Sequence, residues 1–93
     1  MIKYQLNIPT RVRKQINNLP GRYRQRIQRL IAGLAIEPRP PHAKLLRSTR
    51  NRYRIRIDDY RIIYRLEDDI LLVEVLKVGQ KSGSEFYDDI DES

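Results

Sequence analysis

The chain has 93 residues, enough for one domain with a modest core, and carries 19 Lys and Arg against 12 Asp and Glu, a formal net charge of +7. It has no cysteine, which excludes disulfide staples and thiolate chemistry and suits a reducing compartment. No apolar run approaches a membrane span and the N-terminus lacks a signal-peptide layout, so a soluble cytoplasmic protein with no membrane partner is expected.

Ile2, Tyr4, Leu6 and Ile8 alternate with polar residues and run into Pro9, which predicts a first strand. Thr10 is placed to cap a short helix carrying Val12 and Ile16. Pro20 suits the first turn of a second helix, in which Tyr23, Ile27, Leu30, Ile31 and Leu34 recur at helical spacing. Arg22, Arg24, Arg26 and Arg29 then take its outer faces. The prolines of "EPRPP" cannot continue this helix and end it.

The stretch "RYRIRIDDYR", Arg52 to Arg61, alternates charged with aromatic or branched residues, the period of a strand with one buried face. Asp58 and Asp59 are read as the two-residue turn of a hairpin. That turn pairs Ile57 with Tyr60, Arg56 with Arg61, Ile55 with Ile62, Arg54 with Ile63, Tyr53 with Tyr64 and Arg52 with Arg65. One face becomes Tyr53, Ile55, Ile57, Tyr60, Ile62 and Tyr64. The other becomes Arg52, Arg54, Arg56, Arg61, Ile63 and Arg65. After the hairpin, "ILLVEVLKV", Ile70 to Val78, is short enough for a strand in the middle of the sheet, and Gly79 is expected to break it. A brief turn or helix from Ser82 to Tyr87 leads to an acidic tail, residues 88–93, beyond a single domain of residues 1–87.

The order strand, helix, helix, strand, strand, strand predicts an α+β fold, βααβββ. Two N-terminal helices pack on one face of a mainly antiparallel sheet, and a short C-terminal helix or turn follows. The apolar hairpin face must meet the helices, which leaves the arginine face open.

Charge is uneven along the chain. Residues 1–36 hold eight Lys or Arg and no acid, while five acids crowd the last nine positions. Residues 1–84 hold 19 basic and 7 acidic side chains, a net of +12, which points to an anionic partner such as nucleic acid, an acidic membrane surface or an acidic protein.

Lys44 to Tyr87, "KLLRSTRNRYRIRIDDYRIIYRLEDDILLVEVLKVGQKSGSEFY", resembles the RelE branch of the RelE/ParE toxins of toxin-antitoxin pairs. The specific part is "YRIRIDDYRIIY", then "VLKVG", then a tyrosine eight residues past the glycine. The resemblance implies an mRNA endonuclease toxin that enters the ribosomal A site, cleaves the exposed codon, blocks translation, and is silenced by a cognate antitoxin. It implies catalytic roles for Arg54, Arg56, Arg61, Lys81 and Tyr87. Here the chain departs from the family pattern, with arginine for lysine at 54 and 56 and lysine for arginine at 81.

Cleavage of RNA through its own 2′-OH needs a base, cations for the charge developing on the phosphorane, and an acid for the leaving oxygen. Arg54, Arg56 and Arg61 suit the middle task, because guanidinium groups grip phosphate oxygens in pairs and do not release their protons. Lys81 and Tyr87 are the titratable groups left for proton transfer, although Tyr87 can equally stack on a base or cap the core. Arg52, Arg65, Lys44, Arg47 and Lys77 are read as RNA-binding cations around this centre. No metal site and no cofactor are expected. His42 stands on a proline-rich loop without a histidine partner, and the acids at 58, 59, 67, 68 and 69 are read as turn chemistry. An antitoxin would supply an acidic or amphipathic segment. Two other readings share the fold and the charge: a ParE-like inhibitor of DNA gyrase, and a basic RNA-binding module without catalysis.

Overall fold

The computed structural model describes residues 3–81. Its elements are β1 (Gln5–Asn7), α1 (Thr10–Asn17), α2 (Gly21–Leu34), β2 (Ala43–Leu45), β3 (Arg52–Ile57), β4 (Tyr60–Glu67), a 3-10 turn (Asp68–Ile70) and β5 (Leu72–Gln80). The strands form one sheet in the order β1-β5-β4-β3-β2. β1 runs parallel to β5 and every other pair is antiparallel. This is the α+β arrangement expected, with one strand more. β2 was not foreseen: Ala43–Leu45 pairs antiparallel with β3, placing Lys44 opposite Arg54.

The hairpin has the register read from the sequence, all six pairs from Arg52 with Arg65 to Ile57 with Tyr60. Asp58 takes a left-handed backbone with φ 53°, a conformation aspartate tolerates better than most residues without a glycine's freedom.

Helices and sheet share one core. Val12, Ile16 and Leu19 come from α1 and the residue run after it, and Ile27, Ile31 and Leu34 from α2. They pack on Ile55, Ile57, Ile62, Tyr64, Leu66, Val73, Val75 and Val78 of the sheet. Except between Val75 and Val78, these positions repeat every three or four residues on the helices and every second residue on the strands, the two periods that bring one stripe to one face. Burying each such side chain contributes about 1.5–3 kcal/mol. α1 also closes the edge of β5 that the short β1 leaves uncovered. The Gln15 side-chain oxygen accepts from the Val78 amide at 2.9 Å, and an Arg11 guanidinium nitrogen donates to the Leu76 carbonyl at 3.0 Å.

Several boundaries differ from expectation. Gly79 does not end β5, which runs on to Gln80 because Tyr60 and Arg61 continue to pair with Gln80 and Gly79. The strand begins at Leu72 rather than Ile70, since Asp68–Ile70 forms the 3-10 turn. Thr10 is the first helical residue and makes no capping hydrogen bond; the cap position falls to Pro9. Pro20 likewise stands at the cap position just before α2. A register shift at Ile63 and Tyr64 makes Leu76 an extra residue in β5. Ile63, on the open face, is fully buried there by Leu46 and Leu76 in a small second cluster. The turn or helix expected at Ser82 to Tyr87 and the tail at 88–93 lie outside the described residues.

Candidate active site

The open face of the sheet is best described as three rungs that follow from the pairing. The rung nearest the hairpin turn is Arg56, Arg61 and Gly79; the middle one is Lys44, Arg54, Ile63 and Lys77; the far one is Arg52, Arg65, Glu74 and Asn7. Residues directly opposite on one face stand about 4.5–5.5 Å apart at Cβ, and successive rungs are about 7 Å apart along the strands.

The far rung is electrically closed. Arg65 forms ion pairs with Glu74 at 2.8 Å and Glu67 at 2.6 Å, with only a quarter of the Arg65 and Glu74 side chains exposed. Asn7 donates to Glu74 at 3.1 Å and Asn51 to Glu67 at 3.0 Å. Arg65, read from sequence as an RNA-binding cation, therefore has its charge committed inside the sheet. The signal was Glu74, the one acid in the mostly apolar run Ile70 to Val78.

The other two rungs contain no acid. Arg54 and Arg56 form no ion pair with any described residue; Arg56 is exposed and Arg54 half-buried. Lys44 and Arg47 are exposed on β2 and the loop after it. Arg52 and Lys77 are half-buried on the far and middle rungs.

Arg61 is held in place by the turn. One of its terminal nitrogens donates to the carbonyls of Asp58 and Tyr60, both at 2.9 Å, and its Nε is buried with no partner among the described residues. Lys81 follows β5 and is tied to the same turn, its backbone amide donating to the Asp59 carbonyl at 2.8 Å. Arg56, Arg61 and Lys81 thus meet at the hairpin end of the sheet. Tyr87 lies outside the described residues. His42 is exposed on the turn before β2, and among the described residues no three His, Cys, Asp or Glu side chains gather as a metal site would require.

Two side-chain networks that the sequence reading missed brace the sheet on its helix side. At the far end Asp68 takes two hydrogen bonds from Arg39, at 2.7 and 3.2 Å, and one from the Tyr4 hydroxyl at 2.6 Å. Arg39 Nε donates to the Tyr53 hydroxyl at 2.8 Å, and Tyr53 stacks on Tyr64, whose hydroxyl donates to the Pro38 carbonyl. The Arg39 hydrogen bond, helped by Tyr4, holds the Asp68 carboxyl below its ordinary pKa, and the same carboxylate raises that of Tyr4. Burial raises that of Tyr64. At the turn end, the Tyr23 hydroxyl of α2 donates to Asp58 at 2.7 Å, and Tyr23 packs on Tyr60 with ring centroids 4.5 Å apart.

An acid-free array of arginine and lysine on a rigid sheet can bind a phosphodiester and stabilise negative charge growing on it. Residues 7–84 match the family of ParE toxins of type II toxin-antitoxin systems, parDE. Among solved structures the chain is similar to the isolated RelE toxin of E. coli, at 27% identity and a TM-score of 0.74 over 92% of this chain and 93% of that one. It is similar to a chain of the archaeal RelE-RelB complex from Pyrococcus horikoshii OT3, at 26% identity and a TM-score of 0.77 over 88% of this chain and 99% of that one. A chain of the toxin-antitoxin complex RelBE2 from Mycobacterium tuberculosis matches at 26% identity and a TM-score of 0.71, over 86% and 100% of the two chains. No curated protein matches the sequence.

Proposed function

The chain belongs to the family of ParE toxins of type II toxin-antitoxin systems, and we propose that its own activity is that of a RelE-type endoribonuclease that cuts mRNA in the ribosomal A site. The observation that carries this reading is the pair of acid-free rungs, with Arg56 directly opposite Arg61 and Arg54 one rung away. Like charges so placed destabilise a sheet by about 0.2–1 kcal/mol. A toxin that must hold a phosphodiester in a charge-neutralising grip has a use for that cost.

The 2′-oxygen attacks the adjacent phosphorus, its proton passes to a base, and the 5′-oxygen leaves with a proton from an acid. The products are a cyclic phosphate and a free 5′-hydroxyl. Arg54, Arg56 and Arg61 balance the charge on the phosphorane, since a guanidinium stays protonated throughout. Lys81 and Tyr87 are the groups able to move protons. With no histidine or carboxylate pair in this cluster among the described residues, the rate depends on positioning, and the ribosome supplies it by holding the 2′-OH in line. This places the protein where ribosomes work, in the cytoplasm. The antitoxin complexes among the similar structures support a partner of the same kind here, whose acidic or amphipathic segment covers the basic rungs.

Primer extension on cellular mRNA after a brief pulse of expression tests the reading: discrete cuts inside translated frames are expected. The second reading, inhibition of DNA gyrase, is favoured by the name of the matched family. Intact messages together with loss of plasmid supercoiling would establish it instead.

A further inference from the structure

The hairpin turn does more than join β3 to β4. Three consecutive carbonyls, the two of the turn and that of Tyr60 at the start of β4, are used: Asp58 and Tyr60 accept from the Arg61 guanidinium at 2.9 Å, and Asp59 accepts from the Lys81 amide at 2.8 Å. The position of the Arg61 guanidinium and the path of the chain at Lys81 are therefore both copied from the backbone of this turn. That backbone is itself under strain, since Asp58 stands at φ 53°, and such a conformation persists only where its surroundings over-determine it.

The surroundings come from α2. Tyr23 lies in the first turn of that helix, and its hydroxyl donates to Asp58 Oδ2 at 2.7 Å. Its ring is fixed from two sides, by Tyr60 at 4.5 Å and by the Arg22 guanidinium 5.2 Å from the ring centroid. Asp58 forms no ion pair with any described residue, although arginines crowd this end of the sheet; its carboxylate is engaged by a phenol on the helix side.

We propose that the hydrogen bond from Tyr23 to Asp58 is a latch through which α2 sets the placement of Arg61 and Lys81, making Tyr23 and Asp58 positioning residues for the cleavage. The proposal rests on the nuclease reading for its catalytic consequence and on geometry alone for its structural one. Neither side chain belongs to the open face; Asp58 reaches it through its backbone carbonyl. They act through the turn, and a displacement of about 1 Å at a reacting group costs up to about a hundredfold in rate.

Tyr23→Phe removes the hydroxyl and keeps the ring, so the packing on Tyr60 and the core stay as they are. Two measurements on the full chain test the latch. Amide hydrogen exchange at Lys81 is expected to quicken several-fold in Tyr23→Phe while amides of β4 and α2 keep their rates, which separates a local loosening from general destabilisation. Single-turnover cleavage on programmed ribosomes is expected to fall roughly ten- to a hundredfold at saturation, with the ribosome concentration for half-maximal rate unchanged. Asp58→Asn keeps an oxygen that accepts from the Tyr23 hydroxyl, so it should cost less than Tyr23→Phe, and the double variant should be no slower than Tyr23→Phe alone. An unchanged Lys81 exchange rate, or a saturating rate within twofold of wild type, overturns the latch. Should the wild type cleave nothing while the Lys81 amide still responds, the latch stands as the device that shapes this face and the nuclease reading falls.

Discussion

Arg56 and Arg61 stand directly opposite each other across β3 and β4, two like charges on one face of the sheet with no acid on their rung. A protein selected for stability alone would put an opposite charge at one of these positions. Arg56→Glu creates a cross-strand pair with Arg61 and should stabilise the fold by about 0.2–1 kcal/mol while weakening RNA binding. Urea unfolding and RNA titration of the same variant check both halves. A variant that is destabilised, or that binds RNA as well as the wild type, would remove the case for a face kept positive for its ligand.

Arg54 and Arg65 are neighbours on the open face with opposite expected phenotypes. Arg54 has no ion pair among the described residues, so Arg54→Ala should lower the salt dependence of RNA binding by about 0.7, one single-strand phosphate contact. Arg65 is committed to Glu67 and Glu74. Arg65→Ala should leave the salt slope nearly unchanged but destabilise the fold by about 1–3 kcal/mol, since two half-buried carboxylates lose their cation. Equal salt slopes for the two variants would mean that Arg65 reaches the ligand after all.

Much of this was legible in the sequence, for physical reasons that differ by element. The hairpin register could be read because arginine alternates with tyrosine and isoleucine on both sides of Asp58-Asp59, with Ile63 the one apolar residue on the arginine face, and a slip by one residue would have buried the arginines. The short β2 could not, since Ala43–Leu45 is three residues long and has no alternation; it exists because β3 offers an open edge. Gly79 looks like a breaker, yet continues the strand because β4 supplies its pairing partner. The acid-free rungs follow from composition and period. The neutralised far rung and the link from Tyr23 to Asp58 depend on contacts between residues distant in the chain, the latter pair 35 apart, and local pattern holds no record of them.

Acid should loosen the far end of the sheet first. Arg39 and Tyr4 hold the Asp68 carboxyl below the ordinary value of 3.8. A carboxyl lowered in the folded state contributes stability that is fully present above its unfolded pKa and is lost as pH falls through the folded one. The Asp68 contribution is therefore intact at neutral pH and fades below about pH 4. Asp68→Asn should be less stable than wild type at pH 7, and the gap should narrow by pH 3. A gap of constant size across that range would show that the carboxylate charge is not what braces this corner.

Lys81 distinguishes charge from proton transfer. Lys81→Arg keeps the charge and removes a readily transferable proton, so its saturating rate should fall as far as that of Lys81→Ala, roughly a hundredfold or more, with ribosome affinity retained. A near-normal rate in Lys81→Arg would reduce Lys81 to an electrostatic contact and leave proton transfer to other groups.

The most direct measurement compares one message, free in solution and bound on ribosomes with a vacant A site, treated with purified protein under single-turnover conditions and mapped to the nucleotide. The expected result is one cut within the exposed codon on the ribosome, slow or absent cleavage of the free message, and loss of the cut by roughly a hundredfold in Arg61→Ala. Equal cutting of the free and bound message, or a bound message left whole by the wild type, would contradict the claim that the acid-free rungs are a ribosome-dependent nuclease site.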